Sequence, residues 1–176
     1  NSVSIDGDVA WISTDNQGLY KIRIRDYKLL AHYSVSSPRV KLSTNLLNHV
    51  FVDSKHRIWF SAAYLGALFM LDEKSGVIKS FGIKEGLTDS QITSIEEDKD
   101  GNSWMGSSNG LLKYSPHAQV FIRFGVEENL SSFGYFNNSS FYKDGWMYFG
   151  SAKGLVTFIP DKIKYNSLLK PIFVTS

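Results

Sequence analysis

Asp98, Asp100 and Asn102 set three oxygen-bearing side chains at alternate positions around Lys99 and Gly101, a spacing that can gather hard oxygen ligands for a calcium ion. A helix-loop-helix calcium loop needs glycine sixth and glutamate twelfth, whereas counting from Asp98 the glycine is fourth and Asn109 is twelfth. The segment therefore reads as a tight hairpin turn, and no metal is assigned to it. His32, His49, His56 and His117 fall in four separate segments, never at the close spacing of paired metal ligands. Glu96 and Glu97 are adjacent carboxylates from which an acid and a base for glycan cleavage could be built. In a strand, however, neighbouring side chains leave by opposite faces. Gly106-Ser-Ser-Asn-Gly110 has the letters Gly-x-Ser-x-Gly but reads as a turn between two strands of the repeat, not the strand-to-helix turn of a nucleophile elbow, and no phosphate-cradling glycine loop occurs. The lack of cysteine removes thiolate nucleophiles, disulfides and Cys-based zinc sites. No catalytic residue, metal or cofactor is assigned, and the chain is expected to bind rather than to catalyse.

The elements that would position a binding surface are legible in a repeat. An aromatic residue followed six or seven positions later by glycine and an apolar segment occurs four times: Trp11 with Gly18, Trp59 with Gly66, Trp104 with Gly110, and Tyr148 with Gly154. The four aromatics stand 44 to 48 residues apart. A period of that size built from short β segments is the mark of propeller blades, small sheets that cannot bury their faces alone. Aromatics recurring at one blade position are expected to pack between blades, and the paired glycines to serve turn geometry.

The third copy is the template for one blade. Gln91 to Glu97 alternates as a strand, Asp98 to Asn102 turns, and Ser103 to Ser107 forms the hairpin partner. Leu111 to Tyr114 and Val120 to Phe124 complete the sheet. The fold class is accordingly all-β, a propeller fragment of about four four-stranded blades with an incomplete ring. Its divisions are a partial first blade over 1–41, a second over 42–86, a third over 87–129, a fourth over 130–163 and a connector over 164–176. The first blade is expected to be truncated, because only Val3 to Ile5 precede Trp11 as a possible strand. Asp53 and Asp98 each stand six residues before their Trp.

Of 176 residues, 43% are hydrophobic and 14% aromatic, ample for a core, and 19 basic against 17 acidic residues leave a net charge of +2. The densest basic stretch, Lys21-Ile-Arg23-Ile-Arg25, alternates like a solvated strand face, so no nucleic-acid partner is assigned. No run of 18 apolar residues exists, so no membrane contact is expected of this chain. Successive strands run up and down, so the loops leading into each first strand and those joining second to third strands share one rim. There lie Asp15, Asn16, Gln17, Asn45, Asn48, Tyr64, Asp89, Gln91, Ser108, Asn109, Tyr135 and Lys153. Amides suit sugar hydroxyls and an aromatic ring suits the apolar face of a pyranose. The ligand candidates are therefore Asn45, Asn48, Asp89, Gln91, Asn109 and Lys153, with Tyr64 and Tyr135 as stacking platforms.

The block from Gly86 to Leu111, Gly-Leu-Thr-Asp-Ser-Gln-Ile-Thr-Ser-Ile-Glu-Glu-Asp-Lys-Asp-Gly-Asn-Ser-Trp-Met-Gly-Ser-Ser-Asn-Gly-Leu, resembles the two-component regulator propeller repeat. Tyr148 to Ile163 resembles the last blade of such sensors, and Lys170 to Ser176 the start of an immunoglobulin-like juxtamembrane domain. His56-Arg57-Ile58 departs from the template, which has glycine there. The resemblance implies the periplasmic sensor region of a hybrid two-component histidine kinase anchored in the inner membrane, of the kind found in gut Bacteroidetes. Its implied ligand is a glycan-derived oligosaccharide, and its kinase lies beyond this chain. The rival expectations are a propeller glycan lyase or hydrolase and a protein-interaction scaffold. An unfinished propeller leaves an uncovered blade face, so self-association is also expected.

Overall fold

The computed structural model describes residues 1–62, 66–87, 91–125, 130 and 134–163. Four antiparallel sheets follow one another along the chain, each a meander in which every strand pairs with the next. The first contains β1 (Ser2–Asp6), β2 (Val9–Ser13), β3 (Leu19–Arg23) and β4 (Lys28–Tyr33). The second contains β5 (Leu47–Val52), β6 (Ile58–Ala62), β7 (Leu68–Asp72) and β8 (Val77–Phe81). The third contains β9 (Ile92–Glu97), β10 (Ser103–Ser107), β11 (Gly110–Ser115) and β12 (Val120–Phe124). The fourth has β13 (Tyr135–Lys143), β14 (Trp146–Ser151) and β15 (Gly154–Phe158) among the described residues. The first strand of each sheet lies toward a common axis, and the molecule is an all-β propeller of four blades.

The segment before Trp11 supplies a full first strand, so the first sheet has four strands where a part-blade was expected. The connector over 164–176, with its following domain, lies outside the described residues. No helix among them is long and apolar enough to cross a membrane.

Three apolar seams bind the blades in sequence. Trp11 and Leu19 of the first blade enter a cluster with Val50, Ile58, Phe60 and Leu71 of the second. Trp59 and Phe81 of the second pack on Ile95, Met105 and Leu112 of the third, and Trp104 and Phe124 of the third on Met147, Phe149 and Phe158 of the fourth. Each Trp thus faces the blade that follows it. Lys21 shares that face: its Nζ lies 5.2 Å from the Trp11 ring centroid and 2.7 Å from Glu73 Oε1 of the next blade. The alternating basic stretch is therefore partly an inter-blade element and not only solvated strand.

The two Asp–Trp pairs share one physical basis. Asp98 Oδ2 accepts from Trp104 Nε1 at 2.8 Å, while its Oδ1 accepts the backbone N–H groups of Asp100 and Asn102. Asp53 repeats this with Trp59 Nε1 at 2.8 Å and the N–H groups of Lys55 and Arg57. Both carboxylates are buried. The suspected calcium loop is thus a hairpin turn whose aspartate folds inward to hold the tryptophan of the next strand.

Candidate functional site

Each propeller rim is made where β-strands begin and end, and one rim departs from regular pairing. In the second blade Leu47 pairs Ala62 and His49 pairs Ser61, leaving Asn48 as an extra residue. In the third blade Ile92 pairs Ser107 and Ser94 pairs Gly106, leaving Thr93 extra at the same height. In the fourth, Tyr135 pairs Ser151 and Ser140 pairs Phe149, so residues 136–139 bulge opposite Gly150 alone. A bulge re-aims a side chain and bends the strand, and here three of them gather polar residues at one end of the axis.

The position two residues after each blade aromatic is small: Ser13, Ser61, Gly106 and Gly150. The need for smallness is steric. A Cβ on Gly106 would lie 2.7 Å from Ser94 Oγ and 2.9 Å from Tyr135 Cβ, and one on Gly150 would lie 2.9 Å from Ser139 Cβ. The bulged strand crowds the second strand at that point, and this small residue is the sequence signal by which the bulges could have been found.

The bulges are tied across the axis. Asn48 Nδ2 donates to Ile92 O at 3.1 Å and to Asn137 Oδ1 at 3.0 Å. Asn138 Nδ2 donates to Asn1 O at 2.8 Å. His49 is the hub. Ile95 N–H donates to its Nε2, so the proton resides on Nδ1, which donates to Asn138 Oδ1 at 2.6 Å. Burial holds the His49 pKa below the ordinary imidazole value, against the raising effect of those two bonds. One side chain of the second blade thereby joins the third and fourth.

Glu96 and Glu97 part as strand alternation requires. Glu97 turns toward the second blade and accepts from Ser54 N at 2.7 Å, while Glu96 turns toward the fourth and accepts from Ser140 Oγ at 3.0 Å. Burial pushes the Glu96 carboxyl up to about 7, with the Ser140 bond acting the other way. His49 of the second blade and Glu96 of the third line a cleft of about 740 Å³ that opens between the first and fourth blades, whose Val3, Ile5, Asn138 and Phe141 form its other walls. No cluster of three metal-ligating side chains occurs among the described residues.

Residues 86–109 match the two-component regulator propeller family. The chain carries a regulator propeller repeat. It is 29% identical over 215 aligned residues to a histidine kinase P4 of Formosa agariphila, covering 95% of this chain and 16% of that protein. The extracellular domain of a putative hybrid two-component system of B. thetaiotaomicron superposes with a TM-score of 0.75 at 25% identity, covering 92% of this chain and 22% of that one. The extracellular domain of a putative one-component system of the same organism gives 0.70 at 17% identity, over 93% and 22%. The chain thus spans about a sixth to a fifth of the proteins it resembles. Its fold is that of the extracellular propeller regions of two-component sensors.

The propeller places the expected rim residues unevenly. Asn48 sits at the axis in the bulge network, and Gln91 lines a small pocket beside it. Asn45 is structural instead: its Oδ1 accepts from Val35 N at 2.9 Å and its carbonyl from Gly18 N at 3.0 Å. Asn109 is exposed in the β10–β11 turn, where its carbonyl accepts from Arg123, and Lys153 is exposed in the β14–β15 turn. Tyr64 and Asp89 lie outside the described residues. Tyr135 does not offer a stacking face: it is 3% exposed, packs edge-on against Phe149, and has its hydroxyl pKa pushed up to about 12 by burial. The ring that does reach solvent is its neighbour Phe136, 55% exposed, which is not among the residues expected from the sequence.

Proposed function

We propose that this propeller is part of the extracytoplasmic ligand-sensing region of a hybrid two-component sensor, that it detects glycan-derived oligosaccharides, and that it signals to a kinase absent from this chain. The observation that carries the reading is the amide-rich rim, where Asn48, Asn137 and Asn138 from two blades converge beside the axis. Carboxamides donate and accept at fixed angles, which suits the alternating hydroxyls of a sugar, and no covalent chemistry is required. The similarity to extracellular domains of two-component systems supports an extracytoplasmic, periplasmic location and an inner-membrane anchor elsewhere in the parent protein.

Signalling follows from differential affinity. A ligand gripping residues of two blades stabilises one inter-blade arrangement over another, and any domain packed on the propeller then changes its own preferred packing by the same free energy. The glycan lyase or hydrolase reading draws no support from Glu96 and Glu97, which face different blades.

The test is calorimetric titration of this chain, and of the whole extracytoplasmic region, against a panel of glycan oligosaccharides. Heat of binding by both is the expected result. Binding by the longer region alone would leave these blades as scaffold, and silence from both would overturn the sensor reading.

A further inference from the structure

Beside the axis, at the junction of the third and fourth blades, lies a second, smaller recess of about 290 Å³, lined by Gln91, Thr93, Ser108, Tyr135, Phe136 and Asn137 among others. Its walls are built from the bulges. Thr93 is the extra residue of β9 and residues 136 and 137 begin the bulge of β13, so both flanking blades depart from regular pairing where the recess forms. Ser108 and Gly134 bring the β10–β11 turn and the lead-in to β13 into close approach at its edge. Among the described residues, none of those lining the recess carries a formal charge at neutral pH.

Three features define what the recess can hold. Phe136 is 55% exposed, an apolar plane presented to solvent from a strand whose other residues near this rim are polar. Asn137 has its carboxamide oxygen engaged by Asn48 Nδ2, which leaves the donor end of the amide for an incoming acceptor. Gln91 is exposed and adds a second carboxamide to the lining.

Resting on the sensor reading above, we infer that this recess is the ligand subsite of the propeller and that it takes one ring, or the terminal ring, of an uncharged oligosaccharide. Phe136 packs against the apolar face of the pyranose, and Gln91 and Asn137 bond its hydroxyls. The described lining offers no cation to meet the anionic groups of uronates and sulfated sugars, which would be desolvated there unpaired. The volume stands at the small end of ligand pockets, enough for one ring while the rest of the chain continues over the rim. Because its walls come from two blades, occupancy ties the third blade to the fourth and so supplies the differential grip that signalling needs.

The experiment is two-dimensional NMR of the isotopically labelled chain titrated with the trisaccharides of glucose, galactose, mannose and xylose at millimolar concentration. At least one is expected to shift the amides of residues 91, 93, 136 and 137. Phe136→Ala should weaken that binding about tenfold through loss of the stacking plane. Gln91→Ala is the second variant: the residue is exposed and holds Ser108 N through its backbone carbonyl, so thermal stability should be unchanged while the sugar binds about fivefold more weakly. Shifts confined to another part of the rim, or Q91A and F136A binding like the wild type, would overturn the recess and leave the sensor reading standing. No shift with any of the four overturns the neutral-sugar subsite. A calorimetric response to charged oligosaccharides in that case would preserve the sensor reading by a different site.

Discussion

At the scale of single residues the buried titratable pair His49 and Glu96 sets opposing demands on pH. Glu96 has a folded pKa of about 7, above its unfolded value, so the folded state favours the protonated acid. Its contribution is fully present below about 4.5 and is lost as pH rises through about 7. Glu96→Gln mimics the protonated form and keeps an acceptor for Ser140. It should therefore match the wild type near pH 4.5 and exceed it by about 2 to 3 kcal/mol at pH 8, read from urea unfolding at the two pH values. A constant difference would mean that Glu96 ionises freely. His49 acts in reverse: its pKa is lowered, so its contribution is present above the unfolded value near 6.5 and is lost as pH falls below it. Protonation would also put a second donor at Nε2, facing the Ile95 N–H that now donates there. Neither role was legible in the sequence. His49 reads there as a lone histidine and Glu96 as half of a carboxylate pair, because the partners that define them, Asn138 and Ser140, come from a blade more than 40 residues away.

At the scale of elements, the Asp–Trp hairpin is what the repeated spacing encodes. Replacing Asp98 with Ala leaves the buried Trp104 indole N–H and the part-buried N–H groups of Asp100 and Asn102 without their acceptor. The cost should be about 3 to 5 kcal/mol, because several donors lose one charged partner at once. Asp53→Ala should cost a similar amount, as the turn it holds has the same bonds. Denaturant midpoints close to wild type for both variants would show the turns to be held by their backbone alone. The strands were readable because period-two alternation and turn residues specify them locally: Ser103–Ser107 and Val120–Phe124 fall where the pattern put them. The bulges were not readable from alternation, since one extra residue shifts every later side chain to the other face and the apolar pattern simply resumes. Tyr135 was taken for a solvent-facing platform because the sequence reading placed it in a rim loop, whereas it is the first residue of β13 and pairs with Ser151.

At the scale of the whole molecule, the two ends of the blade series are unlike and complementary. The fourth blade presents the face that carries Trp11, Trp59 and Trp104 in the others, here Tyr148 with Phe141 and Leu155, the last two 57% and 67% exposed. The first blade presents the receiving face, with Val3 and Ile5 exposed beside the stacked Tyr20 and His32. In the chains it resembles, which are several times longer, further sequence is available to meet such faces. Alone, the partner that fits by repeat symmetry is another copy of this chain, joined first blade to fourth in a heterologous contact. The expected outcome is concentration-dependent association in sedimentation velocity, weakened by either Ile5→Lys or Leu155→Lys. Mixing the two variants is the decisive arm: each retains one intact face, so a heterologous contact yields a discrete one-to-one dimer and no larger species. A two-fold contact between like faces would give no such mixed dimer, and a wild type that stays monomeric at all concentrations would show that the cleft between the first and fourth blades tolerates water on both walls.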